Sequence, residues 1–207
     1  MTADLFPPSY PGLPLLPGFA RDNEAALLAA VEDVVAAAPL RQVATPGGKA
    51  MSVHMSNCGA MGWISDRHGY RYSAVDPLTA RNWPAMTEVF RELAARAALA
   101  AGYADFAPDA CLVNLYRPST RMTLHQDRDE AGFTAPIVSV SLGLPAVFLW
   151  GGAARADKAA RIELLSGDVV VWGGVARLNF HGVMPLRDGV HPLAGPKRIN
   201  LTFRKAL

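Results

Sequence analysis

Apolar residues recur at helical spacing in only two stretches of the chain. Leu27, Leu28, Val31, Val34 and Val35 make one stripe, which predicts a helix over residues 22–38. Asp22 or Asn23 can cap its start and Pro39 stops it. Met86, Val89, Phe90, Leu93 and Ala97 make the second, over residues 84–101. There Pro84 suits the first turn and Gly102 the end, and Glu88, Arg91, Glu92 and Arg96 read as a solvated face.

The pattern differs between and after these helices. Residues 41–83 carry turn chemistry at Pro46-Gly47-Gly48, then alternation through Met51, Val53 and Met55. That predicts a hairpin, followed by loops bearing Trp63, Tyr70, Tyr72 and Trp83. Such a segment is either a β-rich flank with core aromatics or a lid offering aromatic faces to a flat ligand. Beyond residue 105 only short strand-like runs remain, at 110–116, 136–143, 145–150, 161–165, 168–172 and 197–204. Their regular spacing predicts a sandwich or a barrel-like jelly roll. The fold class expected is α+β: a jelly-roll (double-stranded β-helix) core over residues 105–207, two N-terminal helices, and a β-rich segment between them. Residues 1–20 read as an extended Pro-rich arm and 21–207 as one domain.

Composition narrows the classes. With 207 residues, 51% of them hydrophobic and 18% charged, the chain can bury a sizeable core and is not disordered. Its apolar runs are too short or too broken by Gly and Pro to cross a bilayer. The first residues lack a basic stretch and are interrupted by prolines, so no secretory signal is expected. A net charge of +2 permits contact with nucleic acid without demanding it. Cys58 and Cys111 make no metal-type cluster and are expected as reduced thiols in a cytoplasmic protein.

The chemistry lies on strands with polar residues at period two. In "RINLTFR", Arg198, Asn200, Thr202 and Arg204 share one face, opposite Ile199, Leu201 and Phe203. In "CLVNLY", Asn114 and Tyr116 share a face, opposite Cys111, Val113 and Leu115. This is either a sheet with one wet face or an anion pocket, since arginine forks bind carboxylates bidentately. "LHQDRDE" adds His125 and Asp127 two residues apart, and "LNFHG" adds His181. Two histidines and a carboxylate on one metal face suit non-heme Fe(II), with adjacent positions open for a cosubstrate and O2. His54, His68 and His191 have no such constellation and are expected on the surface or in loops, while Arg128 and Glu130 are expected to face water.

These words occur in order with "TPGG", "DACLVNLY", "APIVSVSLGLPAVF" and "GDVVVWGG", from about Thr45 to Arg204. A weaker match, "DLF", lies near the start. Together they resemble the Fe(II)/2-oxoglutarate-dependent dioxygenases, in particular those that dealkylate nucleic acid. The resemblance implies His125, Asp127 and His181 as iron ligands. It implies Arg198, Asn114 and Tyr116 around the distal carboxylate of 2-oxoglutarate, with Asn200 and Arg204 nearer its chelating end. Residues 41–83 become a nucleotide-recognition lid. Trp63 would stack on the damaged base opposite His125, and Tyr70 and Asp129 would contact the substrate. Arg155 would line the mouth, and Thr45, Met51 and Met55 would grip the strand. Tyr72 and Trp83 are left as core.

Two departures stand out: Asn179 sits two residues before His181 where an aromatic is expected, and the loop around Arg155 is Ala-rich. The activity implied is demethylation of N1-methyladenine and N3-methylcytosine in DNA, and in RNA as a further substrate, with release of formaldehyde, succinate and CO2. A monomer is expected. The rivals are a hydroxylase of the same superfamily acting on a protein or small molecule, and a non-catalytic binder of alkylated nucleic acid.

Overall fold

The computed structural model describes residues 10–207. Strand Leu15–Leu16 (β1) precedes helix Glu24–Ala37 (α1). Next come strands Arg41–Ala44 (β2), Ala50–Gly59 (β3), Gly62–Asp66 (β4), Gly69–Ser73 (β5), Val75–Asp76 (β6) and Arg81–Asn82 (β7). Helix Glu88–Ala100 (α2) leads into strands Ala110–Tyr116 (β8), Met122–His125 (β9), Ile137–Gly143 (β10) and Ala146–Trp150 (β11). The chain ends with Ala160–Leu164 (β12), Val169–Trp172 (β13), His181–Val183 (β14) and Arg198–Arg204 (β15).

Seven strands form one antiparallel sheet, in the order β1-β13-β10-β15-β8-β3-β2, and four form a second, β12-β11-β14-β9. From β8 to β15 the chain passes back and forth between the sheets, pausing in one only at the β11–β12 hairpin. That winding is a jelly roll.

Period two decides what each face meets. On β15, Ile199, Leu201 and Phe203 pack with Cys111, Val113 and Leu115 of β8 against Leu27, Val31 and Val34 of α1 and Phe90, Leu93 and Ala97 of α2. Phe90 and Phe203 meet edge to face, with ring centroids 5.8 Å apart. The opposite face turns Leu112, Ile137, Val170 and Trp172 toward Phe148, Trp150, Ile162 and Val183 of the smaller sheet. Both faces of the large sheet are therefore covered, and every residue of β8, β10 and β15 is buried. The alternating polar side chains are not a wet face. They point between the sheets, where each needs a partner or a ligand.

Some elements differ from the sequence reading. α2 begins at Glu88 rather than Pro84, because the Pro84 carbonyl instead accepts the amide of Gly59 and keeps that stretch extended. A 3-10 turn over Arg21–Asn23 precedes α1. The aromatics of residues 60–73 lie not on loops but on a second hairpin, β4–β5, with Trp63 opposite Tyr72. Its turn is closed by Arg71, paired to Asp66 at 2.7 Å. A Cβ on Gly62 would fall 2.3 Å from the Trp83 ring, so glycine lets the hairpin sit directly on that buried indole. The β2–β3 hairpin is continuous with the large sheet through β3 and β8.

Of the expected Pro-rich arm, residues 1–9, including the "DLF" word, lie outside the described residues. Residues 10–20 pack along the sheet edge. β1 pairs with β13, and Trp150 Nε1 donates to the Pro11 carbonyl at 3.1 Å. No helix among the described residues is long and apolar enough to cross a membrane.

Candidate active site

His125 ends β9 and His181 opens β14, and the two strands pair with these residues in register. The imidazole centroids are 4.4 Å apart. Asp127 follows the end of β9. Its Oδ1 lies 3.6 Å from His125 Nε2 and its Oδ2 3.5 Å from His181 Nε2. One donor atom from each of the three lies within 4.8 Å of the others. Each histidine turns Nδ1 to a backbone carbonyl two residues earlier, His125 to Thr123 at 2.9 Å and His181 to Asn179 at 3.1 Å. A carbonyl accepts only from N–H, so the proton sits on Nδ1 and both Nε2 lone pairs point inward. Asn179 thus serves through its backbone, whatever its side chain. Gln126 Nε2 donates to the Leu178 carbonyl at 2.6 Å and fastens together the two segments that carry the ligands.

Electrostatics favour the ligand form of His125 and of Asp127. Burial, the largest influence on Asp127, would raise its pKa, but Arg204 and then His181 hold it well below the usual carboxylate range. Arg204 Nη2 donates to Asp127 Oδ2 at 2.7 Å. Burial first, and the neighbouring His181 second, lower His125 to about 4, with Asp127 opposing. Near neutral pH the site therefore offers a neutral His125 imidazole and the Asp127 carboxylate, the protonation that a divalent cation needs of these two groups.

The cluster sits where two cavities meet. The inner cavity lies between the sheets and is lined by Asn114, Tyr116, Arg198, Asn200 and Arg204, together with the three metal-type residues. Arg198 is 1% exposed, and its guanidinium stands 5.0 Å over the Tyr116 ring. Its Nη2 donates to Ser141 Oγ at 2.9 Å, but Nε and Nη1 have no partner. Asn114 Oδ1 is likewise unpaired. A buried cation with two idle donors fits the carboxylate of an acidic cosubstrate, which would take both. Asn200 Nδ2 donates to Ser139 Oγ at 2.8 Å and to the Val140 carbonyl at 3.1 Å.

The outer cavity, of about 570 Å³, opens to solvent and is lined by Thr45, Met51, Met55, Trp63, Tyr70, Asp129 and Arg155. It falls in the range of small-molecule pockets, roughly 300–1,000 Å³. Trp63 and Tyr70 are stacked, with centroids 5.4 Å apart and planes at 15°. Trp63 Nε1 donates to Asp129 Oδ2 at 2.7 Å. Arg155 lies over the Phe180 ring at 5.3 Å.

All fifteen residues singled out from the sequence line one of these cavities. Others escaped that reading. Ser139 lines the inner cavity and Ser141, two residues on along β10, accepts from Arg198, an alternation visible in "IVSVSLG". Glu130 does not face water: it is 6% exposed, with Oε2 3.2 Å from Arg177 Nη2. Tyr72 is more than core, because its hydroxyl donates to Glu130 Oε1 at 3.0 Å and accepts from Arg204 Nη1 at 3.0 Å. His191 lies in the loop between β14 and β15, as expected, and is partly buried there, with Nε2 3.5 Å from Glu24 Oε1.

Comparison with known proteins bears on the same geometry. The chain matches the family model of the 2OG-Fe(II) oxygenase superfamily over residues 12–204. It is 53% identical over 199 residues to the alpha-ketoglutarate-dependent dioxygenase AlkB of Salmonella typhimurium (strain LT2), covering 96% of this chain and 92% of that one. A shorter similarity, 43% over 109 residues, links 47% of the chain to 24% of the DNA N(6)-methyladenine demethylase ALKBH1C of Arabidopsis thaliana. Among solved structures, that of OsALKBH1 superposes with a TM-score of 0.83 at 30% identity, over 96% of this chain and 99% of that one. A His-Asp-His cluster between an arginine-floored cavity and an aromatic cleft is thus the centre of a chain that belongs to the 2OG-Fe(II) oxygenase superfamily and, within it, to the AlkB dioxygenases.

Proposed function

We infer that this enzyme, which uses Fe(II), 2-oxoglutarate and O2, demethylates alkylated bases of DNA, with RNA a further substrate. The observation that carries this reading is the junction: metal-type residues open on one side to a buried arginine and on the other to stacked aromatics. We take residues 21–207 as one catalytic domain, with residues 41–83 as its nucleotide-recognition lid.

In this reading His125, Asp127 and His181 hold Fe(II). Arg198, with Asn114 and Tyr116, receives the distal carboxylate of 2-oxoglutarate, and Asn200 and Arg204 face its other end. When bound, the iron, the cosubstrate and O2 together oxidise the N-methyl group to N-hydroxymethyl and convert 2-oxoglutarate to succinate and CO2. The hydroxymethyl group then leaves as formaldehyde and the base is restored.

The chain's own residues bind and aim. N1 of adenine and N3 of cytosine lie on the pairing edge, so a methyl group there reaches the cleft only from an unpaired or flipped base. Trp63 and Tyr70 supply the stacking platform, sequence-tolerant because every base has a π-face. Asp129 puts a carboxylate beside a methylated base that carries positive charge. Thr45, Met51, Met55 and Arg155 bound the cleft where the strand enters and leaves. The test is formaldehyde release from oligonucleotides bearing N1-methyladenine or N3-methylcytosine, dependent on both Fe(II) and 2-oxoglutarate and abolished by His125→Ala. Turnover of 2-oxoglutarate without formaldehyde from any methylated oligonucleotide would assign the cleft to another substrate class.

A further inference from the structure

Behind Asp127 lies a cluster of charged and phenolic groups in which Tyr72, Glu130 and Arg177 have no use in metal and cosubstrate binding as described. Arg204 is its hub. One guanidinium nitrogen donates to Asp127 Oδ2 at 2.7 Å, the next donates to the Tyr72 hydroxyl at 3.0 Å, and Nε stands 3.5 Å from Glu130 Oε1. The Tyr72 hydroxyl, accepting from Arg204, has its single proton left for Glu130 Oε1, also at 3.0 Å. Arg177 closes the ring. Its Nη2 pairs with Glu130, its Nη1 donates to the Asp127 carbonyl at 2.7 Å, and its Nε donates to the Ala135 carbonyl at 3.2 Å.

All four charged side chains are nearly buried, and two arginines balance two carboxylates. Burying such charges gives little or no net stability, because desolvation offsets their attraction. What the ring provides is geometry. Arg204 has a long side chain and lines the cavity assigned to 2-oxoglutarate, whose carboxylate would compete for it. With Tyr72 on β5, Glu130 after β9, Arg177 after a 3-10 turn and Arg204 at the end of β15, its head is held from separate segments of the fold.

We propose that Tyr72 and Glu130 are positioning residues that keep Arg204 on Asp127 Oδ2, so that Asp127 offers the metal one oxygen rather than two. This rests on Asp127 being a metal ligand. A carboxylate freed from Arg204 can chelate with both oxygens and occupy a coordination position that the cosubstrate or O2 needs. The arrangement also ties the hairpin to the ligand segment twice, through Trp63 to Asp129 and through Tyr72 to Glu130.

Co(II) is the probe, because its visible ligand-field absorption reports coordination number without turnover. Tyr72→Phe removes one oxygen and no charge, and Glu130→Gln removes the charge while keeping the shape. Each is titrated with Co(II) in the presence of 2-oxoglutarate, with circular dichroism and a thermal melt as checks on folding. The expected result for Tyr72→Phe is a wild-type fold, an altered Co(II) band and Co(II) affinity about tenfold weaker, as for loss of other groups that orient a metal ligand. The KM for 2-oxoglutarate should rise more than kcat falls. A Tyr72→Phe spectrum and affinity that superimpose on wild type overturn the proposal, even if Glu130→Gln fails to fold. A wild-type protein that binds no Co(II) overturns instead the reading of the three ligands.

Discussion

The β15 strand and the β4–β5 hairpin are both antiparallel, and both alternate apolar and polar side chains, yet they do opposite things. Every residue of β15 is buried, between helices on one face and the smaller sheet on the other. None of β5 is buried, and Tyr70 is 44% exposed. A polar stripe backed by a second sheet becomes a fixed pocket whose donors wait for a ligand. A polar and aromatic stripe backed by solvent becomes a surface that a substrate completes. Stability should therefore concentrate in the first region and recognition in the second.

The largest effect that tests this contrast is on folding. Phe203→Ala empties a fully buried site between β15 and α2 and should destabilise the protein by about 3–5 kcal/mol. Tyr70→Ala should cost less than about 1 kcal/mol, because the ring is already half in water. Urea midpoints measure both, and equal losses would break the comparison.

A smaller pair of effects should cross over. Arg198→Met removes the buried guanidinium with two idle donors and should raise the KM for 2-oxoglutarate by about a hundredfold. It should leave the melting temperature of the ligand-free protein unchanged or higher, since an unmatched buried charge is gone. The affinity for a methylated oligonucleotide should barely move. Trp63→Ala should do the reverse, weakening the oligonucleotide about tenfold while the KM for 2-oxoglutarate stays near wild type. Steady-state kinetics with each substrate varied in turn separates the two variants. A common loss in both would mean that the cavities act as one.

The same contrast explains what the sequence disclosed. Period two in "RINLTFR" and "CLVNLY" separated the faces of the two strands, since a strand allows its side chains only two directions. His125 and Asp127 were legible from their spacing of two and His181 from its place in the order of motifs, and register in the smaller sheet brings the ends of β9 and β14 together. Glu130 was not, because its partners Arg177 and Arg204 are distant in sequence and a run of acids has the composition of a solvated turn. Tyr72 was hidden for a related reason: alternation places its ring but says nothing of where its hydroxyl ends. The β4–β5 hairpin was missed because "GWISDRHGYRYS" has few apolar residues, and an ion pair, Asp66 to Arg71, closes its turn. The later start of α2 was hidden because the Pro84 carbonyl accepts the Gly59 amide, a contact with no local signature.

The smallest expected effect belongs to the boundary between the two regions. His125 faces both cavities, and its side chain is 36% exposed. In the folded, metal-free protein it stays neutral down to about 4, whereas its ordinary value is 6.5. Between those values the unfolded chain binds the proton and the folded chain does not, so the contribution is complete above 6.5 and is lost as pH falls toward 4. Solvent at the open edge of the ring screens the effect and keeps it modest. Urea midpoints of the metal-free protein across that window should decline with pH more steeply than those of His125→Gln, which has no proton to gain there. Parallel slopes would mean that the ring at the junction titrates as freely as the exposed hairpin beside it, and that the fixed pocket ends before His125.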